Sequence, residues 1–348
     1  MVASLPKLTS KWPAASLLAI LFVALWMLGG CDSKPQVLSH SGPTMGTSFT
    51  VKWVSADAGS LERIAPLLEQ SLAAVNQSMS TYIEDSELSR FNRQPAGYST
   101  EVSDGLFEVL SLSQQLSKSS DGAFDVTVGP LVNLWGFGPD GRVTHAPSDE
   151  KIEQIRERVG FRKLHLDADR HRVGKAAALY VDLSAIAKGY GVDELARVLE
   201  GEGIDSYLVE VGGELRARGQ KPDGSPWRIA IESPVSSGRD VQRIIEVHEI
   251  GVATSGDYRN YFEENGVRFS HTIDPATGRP IRHKLASVTV LSPTCAEADG
   301  MATLLTVLGD ERGYQYAVDN GVAAFFIVKS EQGFVERMTP AFEPYLTE

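Results

Sequence analysis

The stretch Tyr180–Asp193, YVDLSAIAKGYGVD, sets a carboxylate, Asp182, and an amine, Lys188, around a predicted turn. Tyr180-Val181-Asp182-Leu183 reads as a strand end and Ser184 as a helix N-cap. Gly189-Tyr190-Gly191 reads as the lead into a helical run, Val192–Leu199. A backbone turning so tightly leaves peptide groups free. With Asp182 at its entrance and Lys188 inside, the segment could take a ligand bearing both donors and phosphates. Read alone, it is more readily a structural joint than a site. A second oxygen set lies in Ala298-Asp299-Gly300-Met301-Ala302-Thr303. Residues four apart on a helix share a face, so Asp299 and Thr303 would present a carboxylate and a hydroxyl together. With a loop carbonyl they form the sparse oxygen set that Mg²⁺ accepts when phosphates and waters complete its octahedron.

Other segments could complete such a site. Met45, in the turn Pro43–Thr47, could cap an apolar ring or fill the core. Tyr82 precedes a short helix that Ser86 could cap and that contains Leu88 and Phe91; a loop tyrosine can stack on a base or cover a core edge. Asp121–Gly141 is a convoluted loop rich in Gly, Pro and aromatics, and Glu210-Val211-Gly212-Gly213-Glu214 adds a glycine pair at a strand end. His271, before the strong turn Asp274–Gly278, is the best-placed proton carrier near neutral pH. Asp257, in Ser255–Asn260, is the alternative base or the partner that orients His271. There is no Cys/His cluster for zinc, no GxSxG and no P-loop sequence.

The elements that must position these groups are partly legible. Strands are predicted over 48–54, 206–211, 227–231, 244–247, 286–291 and 322–328, and helices over 61–79, 106–116 and 296–308, the last stopped by Gly309. Strands that cluster without alternating strictly with helices favour an α+β architecture, as one domain over 43–348 that could have two lobes. The composition, 42% hydrophobic and 22% charged, is that of an ordinary globular chain. A net charge of −12 argues against a nucleic-acid or anionic-membrane surface, so any phosphate must be held locally. The two cysteines, Cys31 and Cys295, offer no disulfide framework. At the N-terminus Lys7 and Lys11 flank an apolar run, Ala14–Leu28, followed by Gly29, Gly30 and Cys31, a secretory pattern over 1–30. Leu28–Cys31 resembles a bacterial lipobox, which would make Cys31 the first mature residue and the lipid carrier, with 31–42 as a polar tether. Asp32 resembles an inner-membrane retention signal, giving an expected location on the periplasmic face of that membrane.

Taken in order, DSELSRFN, GAFDVTVGPLVNLWGFGP, VDLSAIAKGYGVD, EVGGE, HTIDPATG and ADGMAT closely resemble the ApbE family, the FAD:protein FMN transferases. The resemblance implies a fold of mixed and antiparallel sheets with packed helices and FAD in a cleft between lobes. It implies FAD contacts at Met45, Tyr82, the Ala123-Phe124-Asp125 turn, Asp182, Lys188 and Ile273, and Mg²⁺ at the Ala185 main-chain oxygen, Asp299 and Thr303. The implied reaction passes FMN from FAD to a Ser or Thr hydroxyl of a target flavoprotein and releases AMP. The implied acceptor is a periplasmic FMN-carrying subunit of a membrane redox complex. Two rival readings use the same residues: a Mg²⁺-dependent FAD pyrophosphatase, and a periplasmic lipoprotein that binds FAD without cleaving it.

Overall fold

The computed structural model describes residues 34–346 apart from 140, 142, 144, 235–239, 257–260 and 265. The expected signal segment, Cys31 and Asp257 lie outside the described residues. The frame is a sheet of eight antiparallel strands whose spatial order follows their order in the chain. They are β1 (Gln36–Thr44), β2 (Thr47–Ser55), β3 (Tyr207–Val211), β4 (Glu214–Arg218), β5 (Ile250–Gly256), β6 (Leu285–Ser292), β7 (Ala323–Ser330) and β8 (Gly333–Met338). The expected α+β class holds.

Both faces of the sheet centre are covered, so its strands read as apolar runs. In β7, Ala324 and Phe326 join the core under the long helix, while Phe325 and Ile327 point to the opposite core. That second core is closed by a hairpin, Trp227–Glu232 with Val241–Val247, which contributes Trp227, Ile229, Ile231, Ile245 and Val247. All eight residues of β6 are buried for the same reason.

The helices are inserted between strands. Helix α1 (Ser60–Met79) follows β2, and helices α2 (Glu87–Asn92), α3 (Asp104–Ser119), α4 (Gly129–Leu134) and α5 (Asp149–Arg156) follow it, around a small sheet of 99–101, 164–167 and 172–175. Helix α6 (Ala187–Gly201) then leads into β3, and α7 (Cys295–Asp319) joins β6 to β7. Apolar residues four apart give α1 one buried stripe, in which Ile64, Leu68 and Leu72 meet Val192, Leu195 and Leu199 of α6 over Phe49, Val51 and Trp53 of β2. Gly309 does interrupt α7, with φ 84°, and the helix resumes after it to Asp319.

Several sequence expectations need correction. Residues 180–183 form no strand, and α6 begins at Ala187 rather than Val192, so Gly189 and Gly191 are helical residues. Ser184 is not the cap; its N–H and hydroxyl both donate to Asp182 Oδ1, at 2.8 and 2.6 Å. The expected tether over 31–42 includes the start of β1, an edge strand paired residue for residue with β2. Its outer positions are exposed, which gave it a polar composition. The loop 121–141 contains α4, begun by Pro130 in its first turn.

Close approach of α7 to the sheet depends on Gly251 in β5. A Cβ there would lie 2.5 Å from Cys295 N and 2.6 Å from its Cα, both main-chain atoms that cannot swing aside. Gly251→Ala is therefore expected to lose about 1–3 kcal/mol, as overpacking does, read as a lower urea midpoint with unchanged m-value. An unchanged midpoint would mean that the helix shifts freely.

Candidate active site

The site grows from the point where α6 starts against α7. Gly189 has no room for a side chain: a Cβ would lie 2.4 Å from the Cys295 carbonyl oxygen. This contact brings the two helices together so closely that Asp299 Oδ2 accepts the Gly189 N–H at 3.0 Å. In a continuing helix that N–H would bond the carbonyl four residues back, at Ala185. Diverted to Asp299, it leaves the Ala185 carbonyl with no main-chain donor among the described residues. Asp299 Oδ1 likewise has no hydrogen-bond partner among them, and Thr303 follows one turn along the same face. A carbonyl with no main-chain donor, a carboxylate oxygen with no partner and a hydroxyl on the same helix face are thus available, among the described residues, at the start of α6 and along α7.

Charge in this corner is unbalanced. Lys188 Nζ donates to Glu214 Oε1 at 2.6 Å, and Glu214 Oε2 is buried with no partner among the described residues. Burial is the main force raising the Asp299 carboxyl, opposed by Lys188 and the Gly189 N–H. Burial and then the Asp299 charge push Glu214 up to about 7 against the pull of Lys188. Burial opposes the charge on Lys188, yet Asp299 and Glu214 outweigh it and raise its pKa. Two carboxyl groups, both raised by burial, share one ammonium, so a cation brought here would favour their charged forms. No group of three or more His, Cys, Asp or Glu side chains is arranged for a metal among the described residues. The donor set here is instead mixed, main chain with side chain, as hard oxygen-seeking cations accept.

Asp193 fixes the frame beneath. Its Oδ1 accepts from Cys295 N at 3.0 Å and from Arg216 at 2.7 Å, and its Oδ2 accepts from Ala296 N at 2.9 Å. A carboxylate from α6 therefore caps the N-terminus of α7, where orphan N–H groups and the helix dipole both favour it.

The remaining expected residues lie in separate local settings. Met45 and Gly46, with φ 47° and 70°, form the β1–β2 turn, and the Met45 thioether reaches Gly191 of α6. Asp182 N–H donates to Val126 O at 2.8 Å, and Asn92 holds Val181 by paired 2.8 Å bonds. Tyr82 is 70% exposed, and its hydroxyl pKa is raised by burial and by the charge of Asp182, so the ring stands open beside that carboxylate. In the turn at Ala123–Asp125, Phe124 is core, and Asp125 spends one oxygen inside the loop, on Thr127, and the other on the Phe161 N–H beyond it. Burial raises the Asp125 carboxyl despite those bonds. Ile273 packs with Trp135, Leu131 and Phe269 in a separate core cluster, and His271 lies edge-on to Phe137, 6.3 Å between centroids, beside it. Sequence reasoning gave no role to Glu214 or Asp193; the only signal was a carboxylate at the edge of each glycine-bearing motif.

The model of the ApbE family matches residues 45–326, and the chain belongs to that family. It is 47% identical to the FAD:protein FMN transferase of Vibrio cholerae, over 94% of this chain and 98% of that protein. It is 46% identical to the enzyme of the same name from Haemophilus influenzae, over 91% and 93%. The apo flavinyl transferase ApbE of Pseudomonas stutzeri superposes with a TM-score of 0.83 at 48% identity, covering 90% of this chain and 97% of that one.

Removing the Asp193 carboxylate leaves two helix N–H groups unpaired and Arg216 with a 4.0 Å approach to Glu200 Oε1 in place of its 2.7 Å bond. Asp193→Ala is expected to cost roughly 3 kcal/mol in urea unfolding, as breaking a buried ion pair does. Asp193→Asn, which can still accept from the helix, is expected to cost less. Equal small losses in both would contradict a capping role.

Proposed function

We propose that this chain is a Mg²⁺-dependent FAD:protein FMN transferase that moves FMN from FAD to a Ser or Thr hydroxyl of an acceptor flavoprotein and releases AMP. The observation that carries this reading is the Gly189 N–H given to Asp299, which leaves the Ala185 carbonyl without a main-chain donor among the described residues, with the Lys188 ammonium close to Asp299 and Thr303 one turn further along the same helix. Those three oxygens would hold the cation. When bound, Mg²⁺ supplies charge neutralisation to the diphosphate and its leaving group.

The chain's own residues do the rest. Lys188 binds the diphosphate and stabilises its negative oxygens, Tyr82 offers an open ring face for a flat ring of FAD, and the Asp182 turn orients the ligand beside it. His271 takes the proton of the acceptor hydroxyl as its oxygen bonds the FMN phosphorus; the phosphoanhydride bond breaks and its electrons leave with AMP. The basic flank, apolar run and Leu28–Cys31 support a lipid-anchored enzyme on the periplasmic face of the inner membrane. Its acceptor there is a periplasmic FMN-carrying subunit of a membrane redox complex, and anchoring both partners to one membrane raises their effective concentration.

The test is mass spectrometry of an acceptor domain incubated with the enzyme, FAD and Mg²⁺. The expected result is a gain of one FMN, lost on chelation and reduced at least about 100-fold by Asp299→Asn, as loss of a charge-stabilising group implies. Free FMN and AMP with an unmodified acceptor would favour the pyrophosphatase; intact bound FAD would favour a carrier.

A further inference from the structure

The turn Glu210-Val211-Gly212-Gly213-Glu214 joins β3 to β4 through two glycines at φ 61° and 106°. Gly212 lies against the site: a Cβ there would be 2.8 Å from Thr47 Cγ2 and 3.3 Å from Lys188 Cδ. The turn therefore backs onto the lysine stem and delivers Glu214 beneath its ammonium. The Lys188 side chain keeps 31% of its exposure while that of Glu214 keeps 4%, so the carboxylate is the inner partner and the lysine the outer one.

Of the three ammonium N–H groups, one goes to Glu214 Oε1, and Lys188 makes no other hydrogen bond among the described residues. Glu214 Oε2 has no partner among them, so the carboxylate's only hydrogen-bonded side chain is Lys188. A buried carboxylate with one oxygen unpaired is a poor way to stabilise a fold, since an apolar side chain avoids that desolvation. It is a good way to hold one end of a lysine that would otherwise swing on four rotatable bonds.

We propose that Glu214 is a positioning residue, whose buried carboxylate holds the Lys188 ammonium so that its two remaining N–H groups face the diphosphate of a bound dinucleotide. This rests on the reading of the site as an FAD-cleaving centre. Glu214 touches no reacting atom and acts only through Lys188.

The experiment is a double-mutant cycle on AMP release from FAD with Mg²⁺, in parallel with FAD affinity read from flavin fluorescence. Wild type, Glu214→Gln, Lys188→Met and the double variant are compared. Lys188→Met is expected to lower kcat/KM about 100-fold, in line with removing one charge-stabilising group. Glu214→Gln is expected to lower it about 10-fold or more, and the double variant to lie within about threefold of Lys188→Met, because the two act as a unit. Glu214→Asp, which keeps the charge but withdraws it by one methylene, should fall between wild type and Glu214→Gln and guards against a folding defect in any one variant. Losses that multiply in the double variant, or wild-type kcat/KM in Glu214→Gln, would overturn the proposal. Wild-type protein that binds FAD but releases no AMP would instead count against the transferase reading, and the same cycle on FAD affinity would still decide the role of Glu214.

Discussion

A single hydrogen bond, from Gly189 N–H to Asp299 Oδ2, decides what this corner of the molecule can do. It takes up an N–H that would otherwise bond the Ala185 carbonyl, between the regular bonds Ala187 N–H to Leu183 O and Tyr190 N–H to Ile186 O. The Ala185 carbonyl loses its natural donor, and Asp299 is drawn to the same place. The binding set proposed here draws on groups that are individually ordinary: a main-chain oxygen, one carboxylate and one hydroxyl, in contrast to the carboxylate-rich cages of dedicated calcium loops.

That bond exists only because two helices approach within the reach of a main chain. Gly189 and Gly251 clear space on either side of Cys295, and Asp193 fastens the N-terminus of α7 to α6 and, through Arg216, to β4. The meander of the sheet brings the β1–β2 and β3–β4 turns to one end, as the pairing of Phe49 with Val211 requires. Met45, Gly212 and Glu214 consequently meet the same lysine-bearing turn of α6, with Thr47 against Gly212. The chemistry depends on packing that apolar cores on both faces of the sheet hold rigid.

The sequence displayed this arrangement unevenly, for physical reasons. Strands β2, β6 and β7 were legible because burial on one or both faces leaves alternating or continuous apolar runs. Strands β1 and β8 lie at the sheet edges with mostly exposed positions, so neither leaves the buried apolar run that marks the inner strands. The shared face of Asp299 and Thr303 followed from helical spacing alone. The start of α6 was misplaced because Gly189 and Gly191 signal a turn by propensity, whereas tertiary contact with Cys295 and Met45 is what excludes a side chain there. Glu214 and Asp193 had no local signature, since their partners lie far away in sequence: Lys188 for the first, and Arg216 and Cys295 for the second. The resemblance to the ApbE family supplied what spacing could not, and the family match over residues 45–326 bears it out.

The proposed chemistry stands on three oxygens, from Ala185, Asp299 and Thr303, forming a cation site at the junction of α6 and α7. The most direct measurement is an anomalous difference map from crystals of the protein grown with Mn²⁺ in place of Mg²⁺. A peak is expected about 2.1–2.3 Å from the Ala185 carbonyl and an Asp299 oxygen, with Thr303 Oγ1 in the same shell, distances typical of hard cations on oxygen. A peak bound elsewhere, or none at saturating Mn²⁺ with FAD present, would contradict it.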